Sequence, residues 1–377
     1  MLEVLFWSSI LFVFYAYAGY PLLLKAFSSV RSHSVRKGPI APNVSFIITA
    51  YNEEKRIEAK LKNTLEQIYP KEKLEIIVAS DCSSDKTDQI VLSHQMSGVR
   101  LVRAPERKGK ENAQRYAVER ASGEILIFSD VATILEPDGV RNIVENFNDE
   151  TVGCVSSVDR FIDSDGKISG EGAYVKYEML LRSLESRFNS VVGLSGSFFA
   201  ARREVCREWA VDLQSDFNTL INSIKIGLRG VSDPESIGYY KNIADEKKEF
   251  ERKVRTVLRG ISVFMNSRAL LNPFRYGFFS WQLFSHKLCR WLVPFAMIGA
   301  FLSNILLIAG SVFYFYLFLF QIFFYAVAFG GIGSDLSSRK YFFKIPSFLV
   351  LVNLSILKAW YWYVKGERVM LWEPSKR

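Results

Sequence analysis

The sequence predicts an α/β fold, a mostly parallel sheet with helices on both faces, with transmembrane helices at both ends of the chain. Three observations predict it. Short apolar runs alternate with amphipathic stretches between residues 44 and 147, the pattern of βαβ units. Long uncharged apolar runs lie on either side of that region. Aromatic residues make up 14% of the 377, with 30 Phe, and mean hydropathy is +0.09, high for a soluble domain. With 49% apolar residues the chain has ample core to bury, which excludes disorder.

The first element is Val4–Leu24, 21 residues without a charge, bounded by Glu3 and Lys25. It is long enough to span a bilayer. A cleaved signal peptide would carry a basic leading region and a small-residue cleavage site, and neither is clear. Residues 1–27 therefore read as a retained anchor. Lys25, Arg31, Arg36 and Lys37 follow it, so the positive-inside rule puts the next domain in the cytoplasm, on an inner (plasma) membrane.

Residues 40–267 read as that domain. Val44–Thr49, Leu74–Ala79, Val99–Ala104 and Ile125–Ser129 have strand character, and Glu54–Gln67, Asp85–Gln95, Lys110–Ala121 and Pro137–Phe147 have helix character. Ser232–Glu235 reads as a turn. Residues 268–290 mix Arg and Lys with aromatics, as an amphipathic interfacial helix would. Residues 291–334 carry no charge and fit two transmembrane helices joined near Ala309-Gly310-Ser311. Residues 341–364 form a third apolar segment, interrupted by Lys344 and Lys358 and flanked by basic residues on both sides. It either crosses against the charge rule or lies in the interface, and a crossing is the reading adopted.

The net charge of +9 is unevenly placed. From Arg252 onward there are 16 basic and 3 acidic residues, so the preceding part is mildly acidic. That distribution favours a membrane surface over nucleic acid as the partner. Cys82, Cys154, Cys206 and Cys289 lie far apart with only three His, which speaks against zinc and against a disulfide scaffold.

Open α/β sheets bind ligands at the carboxyl ends of their strands. Here those ends hold Thr49-Ala50-Tyr51-Asn52-Glu53, Ser80-Asp81-Cys82-Ser83-Ser84-Asp85 and Asp130-Val131-Ala132-Thr133. Any one acid there is commonly a turn residue or a helix cap, as Asp85 reads. Three acid-tipped strands in one sheet suit a nucleotide with a divalent cation on its phosphates. No GxGxxG follows the first strand and no GxxxxGK[ST] occurs, which removes dinucleotide dehydrogenases and P-loop NTPases. Gly109-Lys110 opens a helix, where the lysine is either a phosphate-binding cation or a surface residue.

Taken in order, VSFIITAYNEE, LEIIVASDCSSDKT, RKGKENAQ, ILIFSDVAT and SDF resemble the family 2 glycosyltransferases. The flanking apolar segments, SHKLCRWLVPF and the terminal KGERVMLWEP, are similar to membrane-bound bacterial members of polysaccharide pathways. The resemblance implies the GT-A fold. It implies an inverting, metal-dependent transfer of a sugar, of hexosyltransferase type, from a nucleotide-sugar (a UDP-sugar) to a lipid-linked or glycan acceptor at the membrane. It implies that Ala50, Tyr51 and Glu53 line the nucleotide pocket, that Asp81 meets the uracil ring, and that Lys110 approaches the donor. Asp130 matches the first acid of the family's DxD motif, which holds Mg²⁺ or Mn²⁺. Asp216 matches the general base of the TED motif. Arg252 and Arg255 fall where the QxxRW element lies, and Gly193, Ser195 and Gly196 match the small-residue loop near the acceptor. Other glycan-assembly proteins are the implied partners.

The sequence departs from the pattern at three places. Ala132 stands at the second DxD acid, Ser215 at the Glu of TED, and the Gln and Trp of QxxRW are missing, which puts processive synthesis in doubt. Ala132 motivates a second reading, a non-catalytic membrane scaffold in a glycan-assembly complex. A transporter would place more polar residues in its membrane segments than these carry.

Overall fold

The structure, a computed structural model, describes residues 1–162, 173–241, 246–331 and 341–367. Arg339, Lys340, Arg368, Lys376, Arg377 and most of the terminal motif lie outside the described residues. The described residues divide into two compact units, those within 26–241 together with Val263–Arg268, and Met1–Lys25 together with those within 246–262 and 269–367.

In chain order, helices α1 (Leu2–Phe14) and α2 (Tyr20–Val30) come first, joined by one wide turn, Tyr15–Gly19. The sheet region then runs β1 (Val44–Ala50), α3 (Ile57–Leu65), β2 (Leu74–Ser80), α4 (Thr87–Ser93), β3 (Val99–Arg103), α5 (Lys110–Arg120), β4 (Ile125–Asp130), β5 (Ile134–Leu135) and α6 (Gly139–Glu145). It continues with β6 (Val152–Ile162), α7 (Ala173–Phe188), β7 (Phe198–Arg202), α8 (Ser215–Lys225) and β8 (Arg229–Lys241).

β1 is buried at all seven positions, as a strand covered on both faces must be. β1, β2, β3 and β4 pair in parallel, with Ala50 beside Ser80 and Thr49 beside Asp130 at their carboxyl ends. The full order is β3-β2-β1-β4-β7-β6-β8-β5. β7 runs antiparallel to β4 and β6, so the second half of the sheet is mixed. This is the GT-A arrangement, and it bears out the expected α/β class. The core gathers Phe46, Ile48, Ile76, Val78, Ile127, Val155, Phe198 and Val231 under the helices.

Ser232–Glu235, expected as a turn, lies within β8. The register against β6 jumps there, from Ser156 opposite Ser232 to Val158 opposite Ile237, so the segment is a bulge in a continuous strand. Its Asp233 accepts hydrogen bonds from Asn146 Nδ2 at 3.0 Å and Ser236 Oγ at 2.6 Å, which hold the bulge in shape.

The other unit holds α9 (Glu246–Asn266) as far as Ser262, α10 (Pro273–Tyr276), α11 (Phe278–Leu283), α12 (Arg290–Leu307), α13 (Val312–Gly331) and α14 (Tyr341–Val364), together with the N-terminal helix. Among the described residues four helices are long and apolar enough to cross a membrane, over Leu2–Val30, Phe278–Gly310, Val312–Gly331 and Phe343–Val364. Residues 268–290 do not form one helix, because Gly277 at φ +54° breaks the run between α10 and α11. Lys358, one of the charges interrupting the last segment, pairs with Glu251 at 2.7 Å, and its ammonium lies 4.9 Å from the Trp362 ring centroid. Such pairing lowers the cost of a charge among apolar helices.

In the first unit, buried Asp149 anchors the segment leading into β1. It accepts from Arg36 N at 3.2 Å, Thr151 N at 3.0 Å, Thr151 Oγ1 at 2.7 Å and Arg229 Nη2 at 3.1 Å. Burial raises its pKa, but these donors outweigh it and hold the carboxyl well below the usual range. The charged form therefore favours the folded state above about pH 4, and that contribution is lost as pH falls further. Asp149→Asn is expected to cost about 3–5 kcal/mol at pH 7, because it strands a buried guanidinium. It should also flatten the acid limb of a melting-temperature series run from pH 7 to pH 3, whereas parallel curves for the two proteins would contradict the assignment.

Candidate functional site

The parallel half of the sheet delivers its strand ends to one place. The backbone there adopts unusual conformations: Asn52 after β1 and Cys82 after β2 have φ of +52° and +60°. Left-handed non-glycine residues cost energy and concentrate at ligand sites. The two turns brace each other, with Ser84 N donating to Asn52 Oδ1 at 2.8 Å and Asn52 N donating to Ser83 Oγ at 3.2 Å. Asp85 accepts from Thr87 N at 2.9 Å and from Glu54 N at 3.1 Å, tying the two turns together, while the cap position of α4 falls on Lys86 and not on Asp85 as the sequence suggested.

Ala50 is buried at the end of β1, and the Tyr51 ring beyond it lies under the Arg107 guanidinium, 3.9 Å from centroid to Cζ. Glu53 is buried and accepts two hydrogen bonds from Arg56, each 2.7 Å. Burial raises its pKa, against the opposing pull of that guanidinium. Asp81 is fully buried and accepts from Lys108 N at 3.1 Å and Gly109 N at 3.0 Å. Burial raises its pKa too, and the two N–H donors oppose the rise. Asp81 thus shapes the loop that carries Lys110, a task the sequence did not reveal. Gly109 suits that loop because its φ is +100°.

Lys110 is not a surface residue; only 7% of it is exposed. Its ammonium lies 2.5 Å from Asp130 Oδ1 and 2.9 Å from the Gly196 carbonyl oxygen. Asp130 N donates to Ser197 O at 3.0 Å, which fastens the end of β4 to the start of β7. A Cβ on Gly196 would sit 2.8 Å from Asp216 Oδ2, so only glycine lets the loop approach this closely. Asp216, in the first turn of α8, accepts from Phe217 N at 2.8 Å and Gln214 Nε2 at 3.0 Å. Asp81, Lys110, Asp130, Gly196 and Asp216 therefore form one connected set.

Gly193 and Ser195 belong to the same loop. Ser195 N donates to Ser156 Oγ at 2.8 Å. Ser195 Oγ and Ser197 Oγ each donate to Asp159 Oδ1 at 2.6 Å. Sequence reasoning missed Asp159, since its strand pairs only with distant segments. It also missed Glu111, which is buried and accepts from Ser215 N at 3.3 Å, seating the start of α8. Arg252 and Arg255 lie on α9 in the other compact unit, where Arg252 makes two 2.7 Å hydrogen bonds to Glu249.

Among the described residues no three His, Cys, Asp or Glu side chains come together to hold a metal ion. Asp130 can offer one carboxylate, and Ala132 adds none. A hard divalent cation accepts that arrangement when phosphate oxygens and water complete its shell.

Residues 45–209 match the sequence profile of Glycosyl transferase family 2. This stretch of the chain is similar to the family 2 glycosyltransferases. The chain is 28% identical over 195 residues to poly-beta-1,6-N-acetyl-D-glucosamine synthase of Staphylococcus aureus, covering 50% of this chain and 46% of the relative. A probable glycosyltransferase of Bacillus subtilis, YdaM, is 29% identical over 173 residues, covering 44% of this chain and 41% of that protein. The chain thus spans about half the length of the curated relatives it matches. Among solved structures, the mannosyltransferase PcManGT from Pyrobaculum calidifontis shares the fold across 98% of this chain and 100% of its own, with a TM-score of 0.77 and 22% identity.

The contact between Gly196 and Asp216 can be tested by itself. Gly196→Ala is expected to cost about 1–3 kcal/mol of stability as the added methyl displaces the carboxylate. In an Asp216→Ala background the same change should cost far less, because the atom it meets is gone. Melting temperatures of the four proteins decide this, and equal costs in both backgrounds would contradict it.

Proposed function

We propose that the chain transfers a sugar from a nucleotide-sugar donor, read as a UDP-sugar, to a lipid-linked or glycan acceptor at a membrane, with inversion at the anomeric carbon. The observation that carries the reading is the connected set Asp81, Lys110, Asp130, Gly196 and Asp216 at the strand ends of a family 2 domain. A scaffold has no need to bury two acids and a lysine around one loop, although Ala132 is the residue that would suit one.

The roles follow from where charge develops. Asp216 takes the proton of the acceptor hydroxyl as that oxygen attacks the anomeric carbon. The bond from that carbon to the donor phosphate breaks, and its electron pair leaves with the nucleoside diphosphate. Lys110 offers its ammonium to the charge gathering on the phosphates. Asp81, with lone pairs left after its two N–H partners, receives a ring N–H of the base, and Ala50, Tyr51 and Glu53 line that side. Asp130 would hold the divalent cation, Mg²⁺ or Mn²⁺, which would neutralise diphosphate charge. The loop of Gly193, Ser195 and Gly196 faces the acceptor.

The fold neighbour was solved with GDP-mannose and Mn²⁺, which supports a nucleotide-sugar and a divalent cation in this architecture. The relative named as a polysaccharide synthase supports a glycan product. The four apolar helices among the described residues support a membrane-bound protein, and the basic residues after the first of them support a cytoplasmic domain.

With Mn²⁺ and a panel of UDP-sugars, the wild-type chain should release UDP with at least one donor. Asp216→Asn should lower that rate about 10²–10⁴-fold, the share a general base supplies, without lowering the melting temperature. Equal release by the two proteins across the panel would overturn the proposal.

A further inference from the structure

Lys60 lies on α3 and is fully buried. Its ammonium donates to Ser129 Oγ at 2.8 Å and to the Thr133 carbonyl oxygen at 2.6 Å, with the Phe46 ring centroid 5.3 Å away. It forms no ion pair with a carboxylate among the described residues, and Asp130 is the acid whose field it feels. Burial brings its pKa down to about 7, which measures how unfavourable the site is for a charge. Leaving water costs an ammonium several kcal/mol, and a methionine would fill the same space without that cost.

The position of the two acceptors shows what the lysine does there. Ser129 directly precedes Asp130 and Thr133 follows it by three residues. Thr133 N donates to Asp130 O at 3.2 Å, so the four residues after Ser129 form a tight turn. Ala132 supplies no second acid to that turn, which leaves Asp130 as its one carboxylate. Asp130 is fastened to β7 on one side by its own N–H. Lys110 holds the carboxylate at 2.5 Å, and on the far side the backbone path of the turn sets its direction.

We infer that Lys60 is a positioning residue for Asp130, clamping the start and end of the turn that presents this carboxylate. The inference rests on the reading of Asp130 as the residue that holds the divalent cation. A neutral amine still has two hydrogens to donate, so the clamp holds in either protonation state.

The test uses the purified full chain in lipid, with Mn²⁺ and UDP as probes. Lys60→Met should melt no lower than wild type, yet bind Mn²⁺ in the presence of UDP about tenfold more weakly, as loss of a group that orients a metal ligand does. Ser129→Ala should weaken it in the same direction by a smaller factor, and the double variant should be no weaker than Lys60→Met alone. Mn²⁺ binding by Lys60→Met that is unchanged or tighter overturns the inference; tighter binding is what removal of a nearby positive charge would do on its own. Amide exchange over residues 131–134 needs no ligand and should be faster in Lys60→Met, so unchanged exchange also overturns the clamp. If Asp130→Asn binds Mn²⁺ as wild type does, the reading of Asp130 fails and the positioning role falls with it. The amide-exchange result then shows separately whether the clamp itself exists.

Discussion

One ammonium holds the site together. Lys110 Nζ bridges the Asp130 carboxylate at the end of β4 and the Gly196 carbonyl in the loop before β7. Its own position is set by Asp81 at the end of β2, through the N–H groups of Lys108 and Gly109. Three strand ends are thereby fixed relative to one another, and Gly196 is held against Asp216 with room for no methyl group. Charge-assisted hydrogen bonds in a buried setting are strong enough to impose such order, and costly to leave half made. The left-handed residues Asn52 and Cys82 are tolerated because the same surroundings brace them.

The first half of the sheet was legible because β1, β2 and β4 are near-continuous apolar runs bounded by polar turns, and their ends agree with the expected bounds within a residue. The helices between them were read too long. Glu54–Gln67 shrinks to Ile57–Leu65, since residues 51–56 shape the turn after β1 instead. β6, β7 and β8 escaped notice because their pairing is long-range and β8 contains a bulge that imitates a turn. In the site, Lys110, Asp130 and Asp216 could be named from the family resemblance. Lys60 could not, although a signal existed: it shares the spacing of Ile57, Leu61 and Thr64, the buried face of α3. A lysine on that stripe is a charge with a reason to be inside. Asp159 left no comparable trace, as a lone acid near the end of a strand has no pattern around it.

The net charge of +9 takes on a different meaning with the two units separated. The sheet-bearing unit turns its charges to internal use: Asp149 with Arg229, Glu53 with Arg56, Asp130 with Lys110. The basic excess belongs to the apolar helices and the segments beside them, where even Lys358 is drawn onto Glu251 and aromatic rings. Anionic headgroups and phosphate-bearing substrates answer that distribution better than nucleic acid does.

The central claim is that Asp130 and its neighbours receive a nucleoside diphosphate together with a divalent cation. An experimental structure of the full chain with Mn²⁺ and UDP tests it most directly. The account predicts the ion on the Asp130 carboxylate, Lys110 turned from that carboxylate to the diphosphate, and the base against Asp81. Nucleotide bound elsewhere, or an ion that leaves the contact between Lys110 and Asp130 intact, would contradict it.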